Sequence, residues 1–245
     1  MRKRKKGLGP VDWLLLAAFV AGLAVACALL LETGRETAAY TSLAGEVSGE
    51  DGAAATIDWD ALRAQNPDVA AWVKVDGTPI DYPVASPRAG DADDFYLHHD
   101  LWRNYSLSGC PYLDARCDAD SAHALVYGHH VGHTDQMFSP IYDAYGQARF
   151  DEVGSLTWST PARGDVELKP AFAMSVDKSY GPIQTFDFAA ADDLRAWLST
   201  LSAAASARSA DCDELCAAAT RAVTLVTCSS NRSGQRARTL VVFVA

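Results

Sequence analysis

The chain has 245 residues, 49% of them hydrophobic and 21% charged, with a formal net charge of −10. That length suits one large or two small domains. Five of the 21 basic residues fall in the first six positions, MRKRKK, leaving 16 basic against 31 acidic side chains over the rest. Such a surface excludes nucleic acid as a partner, because binding the phosphate backbone needs a basic footprint.

After the basic tail, assigned to residues 1–11, nineteen apolar positions run from Trp13 to Leu31. This is close to the ~20 residues that cross a bilayer as a helix, and longer than the ~7–15 of a signal-peptide core. Residues 12–31 are therefore read as an uncleaved anchor, with the basic end inside and the remainder outside the cell. Residues 32–56, rich in Ala, Gly, Ser, Thr and Glu and without periodicity, read as a flexible linker. The folded unit is then 57–245.

Asp58 is placed to cap a short helix over DWDALRAQN, which Pro67 ends. AWVKVDGTPIDYPV reads as two strands around a Gly-containing turn, with Trp72, Val73, Val75, Ile80 and Tyr82 as apolar positions. Further strands are predicted at 110–113, 123–127, 166–176, 222–227 and 239–244. One longer helix is predicted over 187–208, with Leu194, Trp197, Leu198 and Leu201 on one face and Asp187 or Asp192 as its cap. Many strands with few helices predict a single mainly β barrel or sandwich with peripheral helices.

Cys110, Cys117, Cys212, Cys216 and Cys228 follow the apolar segment, which itself holds Cys27. In an oxidising compartment, spacing favours Cys110 with Cys117 and Cys212 with Cys216, leaving Cys228 free; small buried thiols explain the same residues equally well.

All six histidines, His98, His99, His123, His129, His130 and His133, lie in one 36-residue window. A metal site could use His129 and His133 with His98 or His99, although Gly128 and Gly132 oppose the helix that such spacing requires. Alternatively one imidazole serves a thiol, since an ordinary cysteine is mostly protonated near neutral pH and needs a base or cation beside it. His129 follows the predicted strand HALVYG, whose glycine is expected to free the backbone to turn. Cys228 ends the strand AVTLVT. If SSNRSGQRA is a hairpin, Arg238 returns beside Cys228, as a donor aimed at a developing oxyanion, while Arg232 and Arg236 stay in the loop.

The run TLVTC, 224–228, followed ten residues later by Arg238, resembles the active-site signature of the sortases, membrane-anchored cysteine transpeptidases of Gram-positive bacteria. NPDVAAWVKVDGTPIDYPV, FYLHHDLWRNYSLSGCPYLDAR and ALVYGHHVGHTDQMFSPIYDAY resemble the class B members in order and spacing. The helix before the cysteine strand resembles the insertion of that class.

The resemblance implies a closed β-barrel with an N-terminal helix, and catalysis by Cys228 as nucleophile, His129 as acid and base, and Arg238 as carbonyl or oxyanion donor. Thr227 is a candidate substrate contact, and His130 is the neighbour most easily mistaken for His129. Implied partners are secreted proteins bearing a C-terminal sorting motif and an amine of a peptidoglycan precursor or a pilin lysine, with no cofactor. The rivals are a thiol-dependent protease or amidase, and a surface metal- or haem-binding protein that uses the histidines.

Overall fold

A computed structural model describes residues 9–48, 57–132, 134–229 and 234–245. The chain forms two units, one through Leu43 and one from Ala44 to the C-terminus. Helix α1, Pro10–Ser48, is 39 residues long, and its stretch from Trp13 to Leu31 is solvent-facing along its whole length. Among the described residues it is the one helix long and apolar enough to cross a bilayer. It continues well past Leu31, so the expected flexible linker is helical through Ser48; residues 49–56, like most of the basic tail, lie outside the described residues. Thr33, Thr37 and Thr41 fit this helix by donating their hydroxyls to the carbonyls of Leu29, Thr33 and Thr37, so these three hydroxyls are satisfied within it.

The second unit begins with α2, Trp59–Gln65, where the Asp58 carboxylate accepts from the Ala61 N–H at 2.9 Å as the sequence predicts. Strands β1, Val69–Val75, and β2, Asp81–Ala85, form the expected hairpin, with Gly77 at a positive φ of 74° in its turn. A 3-10 turn, Phe95–Leu97, precedes the two-residue β3, Tyr112–Leu113, and β4, His123–Tyr127. The short α3, Gln147–Phe150, leads into β5, Leu156–Thr160, and the 14-residue β6, Gly164–Asp177. After α4, Ala191–Ala203, come β7, Ala207–Arg208, α5, Cys212–Ala218, β8, Ala222–Cys228, and β9, Ala237–Val244.

The sheet runs β5-β1-β2-β3-β4-β8-β9-β6, and a β5–β6 pairing closes these eight strands into a barrel, with β7 appended to β6. One long strand serves both neighbours: β6 pairs with β5 through Gly164–Leu168 and with β9 through Lys169–Asp177. A register shift between Pro170 and Phe172 bends it there, which is where a sheet tolerates proline. Closure therefore runs through the middle of the chain at β5–β6, with the last strand, β9, held between β8 and β6. Val73, Val84, Leu125, Trp158, Phe172, Val223, Leu225 and Phe243 are fully buried, and the near-continuous apolar run of β8 is explained by burial of both its faces.

The helix predicted over 187–208 is shorter, and its cap differs. The Asp193 carboxylate accepts from the Ala190 N–H at 3.0 Å, so neither Asp187 nor Asp192 caps it. Leu194, Leu198 and Leu201 are buried as its periodicity predicts. The segment leading into α4 is fixed to the sheet by His123. Its Nδ1–H donates to the Thr185 carbonyl and its Nε2 accepts from the Thr224 hydroxyl, both at 2.9 Å, while Phe186 stacks on the ring.

The cysteines are all free thiols; Cys110, Cys117, Cys212 and Cys216 are buried, so the small-buried-residue reading holds and the two expected disulfides are not formed. Burial pushes the Cys117 thiol up to about 11 and, with the neighbouring Cys212, the Cys216 thiol up to about 12.

Burial holds the His123 pKa down at about 4. On acidification the unfolded chain takes up this proton first, near its ordinary ~6.5, so stability is full above pH 6.5 and declines toward pH 4, by roughly 3 kcal/mol in total. Denaturant unfolding across that range should show the decline, and His123→Gln should flatten it while lowering stability at pH 7.

Candidate active site

Strand registers bring the three predicted catalytic residues together. Strands β4 and β8 run parallel with Tyr127 opposite Val226, and the ladder continues one step further as the Gly128 N–H donates to the Val226 carbonyl at 3.0 Å. His129 and Cys228 each lie two residues beyond that last pair. Strands β8 and β9 run antiparallel with Cys228 directly opposite Arg238, which puts their side chains on the same face.

Two successive rungs of this face floor a cavity of about 650 Å³. The deeper rung is Tyr112, Tyr127, Val226 and Leu240; the outer one is Cys228, Arg238 and Val176. The site is thus laid along a sheet face close to the strand ends, rather than across the mouth of the barrel. His129 and Thr227 complete this wall, and the segment between β6 and α4 supplies Tyr180, Ile183 and Gln184 opposite.

His129 is half-buried and donates its Nε2–H to the Leu97 carbonyl at 2.8 Å. A carbonyl only accepts, so in the neutral ring this bond leaves the Nδ1 lone pair as the proton acceptor. Burial lowers the His129 pKa; the Leu97 carbonyl opposes this, and the nearby charges of His98 and Arg238 lower it further. The ring is therefore a base at neutral pH and, once protonated, a stronger acid than free imidazole.

Cys228 is partly exposed. The Arg238 guanidinium is held from its own loop, with Nη1 donating to the Gln235 and Ala237 carbonyls at 2.9 and 3.0 Å. Arg236 is exposed, as expected of a loop arginine, and pairs at the surface with Asp177 through two hydrogen bonds of 2.8 and 2.6 Å. Arg232 lies outside the described residues. Tyr127 is tied down by its hydroxyl, which donates to Asp114 at 3.0 Å.

The other histidines take separate places. His130 stacks on Tyr142 with ring centres 4.1 Å apart, and His99 stacks on Phe95 at 3.8 Å. His98 stands 6.3 Å from His129, ring to ring, and His123 is at the far end of β4. Among the described residues no three His, Cys, Asp or Glu side chains could hold a metal ion together, and His133 lies outside them.

Gly128 is required for a reason the sequence did not disclose. A Cβ there would come within 2.5 Å of the Phe138 ring, which packs on this backbone while the Phe138 N–H donates to the His129 carbonyl at 3.0 Å. Close approach of a ring, rather than a special turn conformation, is what excludes a side chain.

No protein-family model matches the chain. Among curated proteins, sortase B of Staphylococcus aureus (strain NCTC 8325 / PS 47) is 29% identical over 96 residues, a stretch covering 38% of this chain and 38% of that protein. Among solved structures, sortase B of Clostridium perfringens superposes with a TM-score of 0.64 at 26% identity, covering 76% of this chain and 97% of the other. The S. aureus sortase B–substrate complex gives a TM-score of 0.72 at 23% identity, covering 87% and 97% of the two chains. The eight-stranded barrel described above is the fold of these proteins.

Two outcomes are expected at this site. Gly128→Ala should displace Phe138 and with it His129, lowering stability by about 1–3 kcal/mol, readable as a fall in Tm together with shifted His129 ring resonances by NMR. Titrated by NMR, His129 should gain its proton below the ~6.5 of an unperturbed imidazole, and a midpoint above that value would contradict the burial that holds it neutral.

Proposed function

We propose that this chain, a class B sortase by sequence and fold, is a cysteine transpeptidase that cleaves a C-terminal sorting motif of secreted proteins and joins the new end to a cell-wall amine. The observation that carries the reading is the pairing of Cys228 with Arg238 across β8 and β9, with His129 at the end of the adjoining parallel strand and all three on one cavity.

In the first stage His129 Nδ1 takes the Cys228 thiol proton, and the sulfur attacks the carbonyl carbon of the motif's Thr. A C–S bond forms while the carbonyl π electrons move onto oxygen, where Arg238 donates to the negative charge. As the oxyanion collapses, the C–N bond breaks and the imidazolium passes its proton to the departing amine. The depressed His129 pKa favours that transfer, because a weaker base releases its proton more readily. In the second stage an amine of a peptidoglycan precursor, or a pilin lysine, attacks the thioester. His129 takes its proton, and the thiol returns as the new amide forms. Neither stage needs a metal or organic cofactor.

Helix α1 serves in this reading as a membrane anchor over residues 12–31, with the basic residues 1–11 in the cytoplasm and the catalytic domain, 57–245, outside the cell. Anchoring confines the enzyme to the surface where a secreted protein and a wall precursor meet. Thr227, buried in the cavity wall, is a substrate contact.

The test uses the full chain in detergent with a library of five-residue peptides containing Thr, with and without an added primary amine. Cys228 should carry a thioester by mass spectrometry, and the amide product should appear only with the amine. Cys228→Ala should abolish both with the fold intact by circular dichroism. Arg238→Ala should lower kcat/KM by about 10²–10³-fold, as loss of an oxyanion donor does. Release of free acid at the same rate with and without amine would make the chain a thiol hydrolase; no thioester with any peptide would refute the reading.

A further inference from the structure

The Leu97 carbonyl sets which nitrogen of His129 is left to accept a proton, and Leu97 follows directly on Tyr96, whose side chain is fully buried. The Tyr96 hydroxyl donates to the Asp68 carboxylate at 2.5 Å. It accepts from the Asn66 amide at 2.8 Å and from Arg103 Nη1 at 3.3 Å, so its one donor and two acceptor places are all taken. Asp68 and Asn66 are buried too, 8% and 2% exposed, in the connection between α2 and β1. Burial, with the Asp68 bond, pushes the phenol up to about 12, so it stays a donor at any working pH. A buried polar network with every place filled holds its members in one geometry.

A second constraint reaches the same backbone from the loop before β3. The Cys110 N–H donates to the Tyr96 carbonyl at 2.9 Å, and the Gly109 N–H donates to Ser106 Oγ at 3.0 Å. Gly109, at a φ of 65°, lies so close that a Cβ there would stand 2.6 Å from the Tyr96 oxygen and 2.8 Å from the Leu97 oxygen. The Leu97 carbonyl is thus fixed from two sides, by the clamped phenol of its neighbour and by the backbone of Gly109.

We propose that Tyr96 is a positioning residue for His129: clamped by Asp68 and Asn66, and with Gly109 against the next peptide, it aims the Leu97 carbonyl at Nε2–H and so keeps Nδ1 as the acceptor of the Cys228 proton. The effect on rate rests on the transpeptidase reading above, whereas the effect on the ring needs no substrate. Without the Leu97 acceptor the neutral imidazole divides its proton between its two nitrogens, and a ring carrying Nδ1–H cannot take the thiol proton. The Leu97 carbonyl also favours the protonated ring against the burial that opposes it. Its loss therefore lowers the His129 pKa further.

Tyr96→Phe tests this with the fold kept, since Asp68 retains Arg88 and Arg103 and the Asn66 amide retains the Leu101 carbonyl. Gly109→Ala acts on the Leu97 carbonyl from the other side. Each would be compared with the unaltered full chain in detergent, by nitrogen NMR of the His129 ring and by peptide turnover with an added amine per folded molecule. Tyr96→Phe should lower kcat by about threefold to tenfold, the range for one lost hydrogen bond. Gly109→Ala should lower it by up to about a hundredfold, the cost of a misplacement near 1 Å. In both, KM should hold, an Nδ1–H signal should appear, and the His129 midpoint should fall. A side chain with a merely structural role would instead loosen the site, admit water and raise that midpoint. A raised midpoint, a ring that stays Nε2–H, or a kcat left unchanged in Tyr96→Phe would overturn the proposal. Should Gly109→Ala fail to fold, Tyr96→Phe decides alone. Absence of any thioester in the unaltered chain would remove the transpeptidase reading, while the ring signals and midpoint would still decide whether Tyr96 positions His129.

Discussion

Everything at the site depends on the register of β8 between its two neighbours. Side chains alternate faces along a strand, so a slip of one residue against β9 would turn Cys228 away from the cavity and put Thr227 in its place. Five consecutive pairs against β4 and seven against β9 resist such a slip. His123 resists it more specifically, since its Nε2 bond reaches Thr224, which lies on the same face of β8 as Cys228. The same imidazole holds the Thr185 carbonyl, so the Cys228 strand and the segment that walls the cavity are set by one buried side chain.

The groups around the cavity are oriented before any substrate arrives. Leu97 fixes the tautomer of His129, and the Gln235 and Ala237 carbonyls fix the Arg238 guanidinium. Fixed dipoles in a partly dry site need no reorganisation when charge develops, which is where most of their effect on a barrier arises. Burial is the main cause of the lowered His129 pKa, and the charges of His98 and Arg238 add to it.

Much of this was legible in the sequence because it is local or strongly periodic. The β-branched run ending at Cys228, the arginine that opens the next apolar run, the Asp58 cap and the apolar face of α4 all carry their own signals. What escaped depended on distant partners. Strand β5, LTWST, is half polar and becomes a strand because β1 and β6 pair with it on both sides. Gly128 read as a turn residue because the Phe138 ring that crowds it is ten positions away. The cysteine spacing suggested disulfides, whereas four of the thiols behave as small buried hydrophobes. Residues 32–48 lack an apolar stripe, yet α1 runs through them with its threonine hydroxyls bonded back into the helix, a satisfaction that composition does not display.

The 3-10 turn Phe95–Leu97 borders the cavity and holds the His129 ring through its backbone. Its first flanking residue, Asp94, faces the cavity with its carboxylate uncommitted, and its last, Leu97, supplies the carbonyl that holds the His129 ring. The turn is stiffened from behind, where Phe95 is covered by the His99 ring on one side and the Arg103 guanidinium on the other, and Arg103 is itself held by Asp68 and Asp91. The Asp68–Arg103–Asp91 cluster thus braces, through Phe95, the turn whose last carbonyl holds the His129 ring.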